Sequence, residues 1–166
     1  MVKHPIEPVY NVNSQILILG SFPSVKSREA NFFYGHPQNR FWKVLAMVFD
    51  AEVPTTIEEK RKFLLEHQVA VWDVIQSCDI IGSSDSSIKN VVPNDLTCIL
   101  DKADIKQIFV NGKKAEQFYK KYIEKEIGRS AICLPSTSPA NAAWSAEKLV
   151  TEWKQILTSY TRNILE

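Results

Sequence analysis

The feature that most constrains the fold is a set of four short apolar segments separated by longer helical patterns. The segments span residues 15–19, 69–74, 107–110 and 130–134. They are rich in Val and Ile and do not alternate between apolar and polar residues, which is typical of strands covered on both faces. Strands that alternate with helices form a parallel sheet. The sequence therefore predicts an α/β three-layer sandwich with a central four-stranded parallel sheet flanked by helices.

Helical patterns fill the intervals between these segments and continue after the last one. They span residues 40–49, 57–67, 95–103, 113–127 and 146–158. Asn39 is a good capping residue for the first of them, and Gly128 is a good C-terminal cap for the fourth. The length predicts a single domain over residues 1–166 with a core over about 15–160. Ligands of open α/β sheets bind beyond the carboxyl ends of the strands, so function is expected in the loops 20–39, 78–93, 111–112 and 135–141.

The net charge, the cysteines and the hydropathy of the sequence bear on its possible partners and cofactors. The net charge is +1, which neither indicates nor excludes a nucleic-acid partner. Cys78, Cys98 and Cys133 have no CxxC spacing and are too few for a four-cysteine metal or iron–sulfur site. No apolar run is long enough to span a bilayer, and residues 1–11 lack the pattern of a secretory signal. We expect a cytoplasmic monomer with no metal, no metal cluster, no cofactor and no membrane association.

The loop after the first predicted strand carries an aromatic cluster beside a helix start. Gly20 allows a sharp turn directly after the strand, and residues 32–34 are Phe-Phe-Tyr. Such a surface suits a flat ring, although each aromatic residue could equally line the core. Asn39 could be only a helix cap, and without further context this interpretation is favoured. His36, between Gly and Pro, is interpreted as a structural residue that stiffens the loop.

Two motifs resemble those of a known enzyme family. Residues 20–24 (GSFPS), followed by residues 36–42 (HPQNRFW), are similar to the first motif of the uracil-DNA glycosylase superfamily. Its mismatch-specific and hypoxanthine branches share a His-Pro-x-Asn-Arg-Phe-Trp signature. Residues 134–141 (LPSTSPAN) resemble the second motif in the form typical of the hypoxanthine branch. The resemblance, which covers about residues 15–160, implies a DNA repair glycosylase that hydrolyses the N-glycosidic bond of a flipped deaminated base, hypoxanthine in deoxyinosine.

Two positions depart from the pattern of the uracil-excising members. Where those enzymes hold an Asp or Asn that orients the attacking water, this chain has Phe22, which cannot form hydrogen bonds through its side chain. Where they hold a His or Asn at the start of the second motif, it has Ser136. The resemblance to the hypoxanthine branch implies that Asn39 is the catalytic residue instead. A neutral amide can hold a water molecule and stabilise charge that develops on the sugar.

The resemblance also implies roles for further residues. Tyr34 matches the aromatic residue that stacks on the base, and Gly20 and Phe22 would line the base site. The second-motif loop would contact DNA, although Ala140 is short for the wedge that fills the vacated space. The residues that the resemblance implies to bind DNA are Ser136, Ser138, Pro139, Ala140 and Asn141.

Two polar residues at strand ends have two interpretations each. Asn111 could read the base edge, but a turn residue before Gly112 is slightly preferred. Asp73 could be a catalytic acid, but a helix or turn cap is preferred.

Other functions remain open at this stage. Phe22 and Ser136 stand where the usual catalytic residues would be. The sequence is therefore also consistent with a module that binds damaged bases in DNA without cleaving them, or with a glycosylase that excises uracil. A protein that binds a free nucleotide is disfavoured, because residues 20–24 lack both the phosphate-binding P-loop pattern and the G-x-G-x-x-G pattern.

Overall fold

The predicted four-stranded parallel sheet is confirmed. A computed structural model describes residues 1–160; residues 161–166, the end of the predicted domain, lie outside the described part. The described part contains seven strands: β1 (Val2–Lys3), β2 (Ile16–Gly20), β3 (Val69–Asp73), β4 (Ile75–Asp79), β5 (Lys89–Pro93), β6 (Gln107–Asn111) and β7 (Ala131–Leu134). The central sheet has the order β3-β2-β6-β7, with every neighbouring pair parallel. All four strands begin and end within one residue of the predicted segments.

The helices surround this sheet. They are α1 (Val25–Ala30), α2 (Phe41–Val48), α3 (Ile57–Glu66), α4 (Thr97–Leu100), α5 (Lys113–Tyr122), α6 (Glu124–Ile127) and α7 (Ala146–Trp153), with 3-10 turns at Asp85–Ser87 and Lys154–Ser159. Helix α4 is shorter than predicted, and the single helix predicted over 113–127 is divided at Ile123. Gly128 caps α6 in the left-handed conformation with φ of 67°. None of the helices in residues 1–160 has the length and apolar character needed to cross a membrane.

Both faces of the inner strand β2 are buried, which explains the lack of alternation in this strand. Residues Ile16 and Ile18 face the core beneath α2, α3 and α7, whereas Leu17 and Leu19 face the core on the side of α4 and α5. All four side chains are fully buried. A strand that packs helices on both sides therefore has no polar face, and the apolar run in β2 follows from its central position.

A second, antiparallel sheet was not predicted. Its order is β1-β4-β5, and β5 lies within the segment 78–93 that the sequence indicated as a loop. Strand β1 has two residues, and β5 is half-exposed and contains a proline, so neither gives a recognisable pattern. This sheet holds the N-terminal segment beside β4, where the His4 N–H donates to the Gln76 carbonyl at 2.6 Å. His4 is thereby brought to the end of β3.

Candidate active site

A pocket of about 320 Å³ lies beyond the carboxyl ends of the central strands. The loops that follow β2 and β7 meet there, as the topology predicts. Its volume is at the lower end of the range for small-molecule sites, which suits a ligand the size of one base. The predicted site residues that line it are Gly20, Phe22, Tyr34, Asn39, Asn111, Ser136, Ser138, Pro139 and Ala140.

The three consecutive aromatics divide between the core and the pocket. Phe32 and Phe33 are each 2% exposed and belong to the core, although Phe33 also contributes to the pocket wall. Tyr34 stacks on Phe41, with ring centroids 3.9 Å apart and an interplanar angle of 15°. Since Phe41 covers one face of Tyr34, a base can stack only on the other. Tyr34 has a φ of 51°, an uncommon conformation that is often found at functional sites.

The Tyr34 hydroxyl is a buried donor at the pocket floor. Among residues 1–160 it has no partner in hydrogen-bonding geometry. Burial, reinforced by the Asp73 carboxylate and partly opposed by the Asn111 amide, raises the pKa of Tyr34 far above its ordinary value, so the phenol stays protonated. A methyl group at Gly20 would collide with Asp73 Oδ1 and would lie 3.0 Å from the Tyr34 hydroxyl oxygen. Glycine at position 20 therefore leaves room for both polar groups.

Asn39 is held by a chain of hydrogen bonds whose direction is fixed. The Thr137 backbone N–H donates to Asn111 Oδ1 at 3.1 Å, so Asn111 Nδ2 is the atom that donates to Thr137 Oγ1 at 3.0 Å. The Thr137 hydroxyl must then donate to Asn39 Oδ1, at 2.8 Å. The Phe41 backbone N–H donates to the same Oδ1 at 3.0 Å. Both lone pairs of the Asn39 carbonyl oxygen are therefore occupied.

The position of Asn39 is compatible with both interpretations, although Arg40 occupies the N-cap position of α2 and a catalytic role for Asn39 stays a prediction. Its side chain accepts from the first residue of α2, so it stabilises the start of the helix, and it also lines the pocket. Among residues 1–160 its Nδ2 has no hydrogen-bond partner, so Asn39 presents N–H donors rather than an acceptor. Asn111 is the last residue of β6 rather than a turn residue, and its amide bonds to Thr137; reading of the base edge by Asn111 stays a prediction. Thr137, fully buried, was missed; its hydroxyl between two serines gave no signal of its own.

The second-motif loop is held together by its own side chains. Ser136 Oγ accepts from the Ser138 N–H, and Ser138 Oγ accepts from the Ala140 N–H. Asn141 does not line the pocket; its Nδ2 donates to the Ser136 carbonyl at 2.9 Å. Asn141 therefore stabilises the loop without lining the pocket. Contact with DNA stays a prediction for all five residues of the loop.

Arg40 of the first motif connects the two motifs. Its guanidinium donates to the carbonyls of Ser138, Asn141 and Trp144, and its backbone N–H donates to the Thr137 carbonyl at 3.1 Å. The planar fork of arginine suits several carbonyl acceptors at once. The motif position next to Asn39 thus orders the loop that contains Thr137.

Asp73 forms a buried pair with His4, and its preferred interpretation as a cap is wrong. His4 Nε2 lies 2.7 Å from Asp73 Oδ2, and the Asp73 carbonyl accepts from Asn94 Nδ2. No backbone N–H in the described part donates to the carboxylate. The pair also lies beside Phe22: the Phe22 ring is edge-on to the His4 ring, with centroids 5.9 Å apart.

A second pocket carboxylate, Asp85, was missed by sequence reasoning. It belongs to the short 3-10 turn between β4 and β5, and Ser21 Oγ donates to its Oδ1 at 3.2 Å. Burial is the main cause that raises its pKa; the Asp73 charge adds to this, and Ser21 and Lys114 oppose it. In residues 1–160 no three His, Cys, Asp or Glu side chains converge as metal ligands would.

We expect Asp85→Asn to stabilise the fold at neutral pH. The raised pKa means that the folded state binds the Asp85 proton more tightly than the unfolded state, so the wild type loses stability as pH rises from the ordinary pKa through the raised one. Asparagine keeps the acceptor for Ser21 without the charge. Each 1 kcal/mol gained in the free energy of unfolding raises the melting temperature of a protein of this size by about 2–4 °C. Thermal unfolding measured from below the ordinary aspartate pKa up to neutral pH should show a difference between the two proteins that grows through the raised pKa and then levels off. A difference that is constant over this whole range would contradict this.

Comparison with known proteins places the chain in a family. The model of the uracil DNA glycosylase superfamily matches residues 7–158. A hypoxanthine DNA glycosylase of Methanosarcina acetivorans is 30% identical over 158 residues, covering 94% of this chain and 98% of the relative. A hypoxanthine DNA glycosylase of Methanosarcina barkeri is 32% identical over 143 residues, covering 85% of this chain and 89% of the relative.

A solved structure agrees with these matches. A protein of Methanosarcina acetivorans determined by solution NMR superposes with a TM-score of 0.78 at 29% identity, covering 95% of this chain and 99% of that chain. The sequence match extends over both motifs and the structural match over the central sheet that positions them. The chain belongs to the uracil-DNA glycosylase superfamily.

Proposed function

We propose that this protein is a DNA repair glycosylase that hydrolyses the N-glycosidic bond of a deaminated base flipped out of DNA, with hypoxanthine as its preferred base. Family membership and the names of the two archaeal relatives support this assignment. The observation that carries it is the amide of Asn39, oriented by Thr137 and Phe41 and directed to a base-sized pocket. Phe22 leaves this pocket without the usual water-orienting residue, and Asn39 takes that role.

The reaction begins with extrusion of the base, because the glycosidic bond is inaccessible in stacked duplex DNA. The free face of Tyr34 stacks on the extruded base, an interaction worth about 1–3 kcal/mol. The second-motif loop, residues 136, 138, 139 and 140, contacts the flanking DNA backbone. Stacking and loop contacts bind the substrate and leave bond cleavage to the sugar end of the pocket.

Asn39 acts as a donor in the chemical step. Its Nδ2 donates to the oxygen of a water molecule, and the second lone pair of that oxygen attacks C1′. The two donors on Oδ1 polarise the amide and strengthen the N–H donation. The C1′–N9 bond of the base, protonated on its five-membered ring, breaks with its electron pair on N9, so the base leaves neutral. The water oxygen bonds to C1′, and one water proton passes to the solvent. A dissociative reaction of this kind needs a positioned water rather than a strong base, which suits a purine leaving group.

We expect deoxyinosine to be processed much faster than deoxyuridine. A purine is a better leaving group than uracil once it is protonated on the five-membered ring, and Phe22 removes the group that activates water for uracil. Single-turnover cleavage of oligonucleotides that each carry hypoxanthine, xanthine or uracil, followed by alkali to break abasic sites, measures the three rates. Equal or faster uracil release would contradict the base assignment. Inosine binding without any cleavage would favour a non-catalytic binding module.

A further inference from the structure

We propose that Asp73, held in place by His4, reads the ring N–H that deamination creates on a base and thereby rejects adenine. This inference rests on the proposed function and identifies the edge of the base that the site recognises. It assigns a binding role to a buried pair that the cleavage step does not use.

The His4–Asp73 pair is rigid and has a defined tautomer. The Ile6 backbone N–H donates to His4 Nδ1 at 3.2 Å, so Nδ1 is unprotonated and Nε2–H donates to Asp73 Oδ2. The two side chains are 2% and 6% exposed. The imidazole ring also contacts Phe22, Phe33 and Trp72, with centroids 5.9, 6.1 and 6.4 Å away. Asp73 therefore has one orientation, with Oδ2 occupied.

The second carboxylate oxygen is free and directed at the pocket. Asp73 lines the pocket, and Oδ1 lies over Gly20, where any side chain at position 20 would collide with it. Within residues 1–160, Oδ1 accepts no hydrogen bond. The buried Tyr34 hydroxyl borders the same space, because a Cβ atom on Gly20 would collide with Asp73 Oδ1 and would lie 3.0 Å from the Tyr34 hydroxyl oxygen. An acceptor and a donor thus both border Gly20 at the pocket.

The sheet order places Asp73 at the opposite end of the pocket from Asn39. Asp73 ends β3, whereas Asn111, which connects to Asn39 through Thr137, ends β6 two strands away. Adjacent strands are about 4.8 Å apart, so these backbone positions are separated by roughly 10 Å. A flat two-ring base can span that distance. With the sugar at Asn39, its far edge faces Asp73.

A carboxylate at this edge distinguishes a deaminated base from its parent. Adenine has a lone pair on N1, whereas hypoxanthine has an N1–H next to the new carbonyl group. A carboxylate oxygen accepts hydrogen bonds, so Asp73 Oδ1 pairs with N1–H. The adenine lone pair would face the carboxylate oxygen without a proton between them, and leaving a buried polar group unpaired is costly. Uracil differs from cytosine in the same way at N3.

Asp73→Asn tests this assignment because it has the same shape. His4 Nε2–H would hold the amide oxygen at the Oδ2 position, so the amide nitrogen would replace Oδ1 and present a donor. Oligonucleotides with 2′-fluoro-deoxyinosine or 2′-fluoro-deoxyadenosine resist cleavage, and fluorescence anisotropy gives Kd for each. We expect the wild type to prefer inosine and Asp73→Asn to lower the adenosine-to-inosine Kd ratio at least tenfold. An unchanged ratio would overturn the assignment.

Two further variants make the result decisive. Asp101→Asn, an exposed site, removes the same charge and should leave the Kd ratio at the wild-type value. His4→Phe keeps the ring packing but removes the donor, so Asp73 can rotate and the ratio should fall. If Asp73→Asn does not fold, an unchanged ratio in His4→Phe overturns the assignment and a lowered one supports it.

The proposed function and the base reading can fail separately. A wild type that binds both oligonucleotides equally overturns the reading by Asp73, whatever its cleavage rate. A wild type that prefers inosine in binding but releases no base overturns the glycosylase activity and supports the base reading.

Discussion

Asn39→Ala is expected to slow hypoxanthine release by about 10²–10³-fold, the scale for removing one preorganised polar group from an active site. The variant loses the N–H donors that hold the attacking water, whereas Tyr34 and the second-motif loop still bind the extruded base. Single-turnover rates on deoxyinosine DNA and Kd values for the uncleavable 2′-fluoro analogue separate the two effects. We expect the rate to fall and Kd to change little.

The capping role of Asn39 requires its own control. Alanine at a helix start costs about 1 kcal/mol, whereas aspartate caps about as well as asparagine. Asn39→Asp keeps an acceptor for the Phe41 N–H and the Thr137 hydroxyl but has no N–H donor. If Asn39 only capped α2, Asn39→Asp would cleave at the wild-type rate. A folded Asn39→Ala protein with full activity would also show that the catalytic residue lies elsewhere.

Thr137→Val is expected to have the next largest effect, a loss of about 10- to 100-fold in the cleavage rate. Valine has nearly the same shape but cannot donate to Asn39 Oδ1 or accept from Asn111 Nδ2. Leaving such buried groups unpaired costs about 1–3 kcal/mol. The released Asn39 amide would then sample orientations that do not hold the water. Single-turnover rates measured at saturating protein detect this loss directly.

Thr137→Ser is the matched control because it keeps the hydroxyl and removes only a methyl group. It should recover most of the rate, while a purely structural role for Thr137 predicts that valine, which keeps the volume, is tolerated better than serine. Melting temperatures of both variants exclude simple unfolding. A valine variant that is as fast as the wild type would show that Phe41 alone orients Asn39.

The fold could be predicted from the sequence because its determinants are local. Strand β2 is apolar throughout because both of its faces are buried, and this pattern is visible without any knowledge of partners. The second sheet was missed because β1 has two residues and β5 is half-exposed, so pairing with β4 rather than intrinsic pattern defines them. Short strands of this kind are determined by tertiary contacts.

The candidate site was predictable where motifs mark it and not where distant contacts build it. Asn39 belongs to the first motif, and Tyr34 lies two residues before the second part of that motif. Both residues line the pocket. The Asp73 partner, His4, is 69 residues away in sequence, and no local pattern connects the two. Asn39 also shows that a residue can stabilise a helix start and line a pocket, because its carbonyl oxygen accepts from the Phe41 N–H while the residue lines the cavity.

Although Asp73 and Asn111 both influence the Tyr34 hydroxyl, no hydrogen bond joins the two polar networks of the pocket in the part of the chain that the structure describes. One joins Asn111, Thr137 and Asn39, and the other joins Ile6, His4 and Asp73. Substitutions without common partners have additive free-energy effects. We therefore expect the proposed recognition of the base and the proposed cleavage at the sugar to be separable. An altered side chain at position 73 is then expected to change the preferred base with little effect on the residues around Asn39, so selectivity could be re-engineered from one end of the sheet.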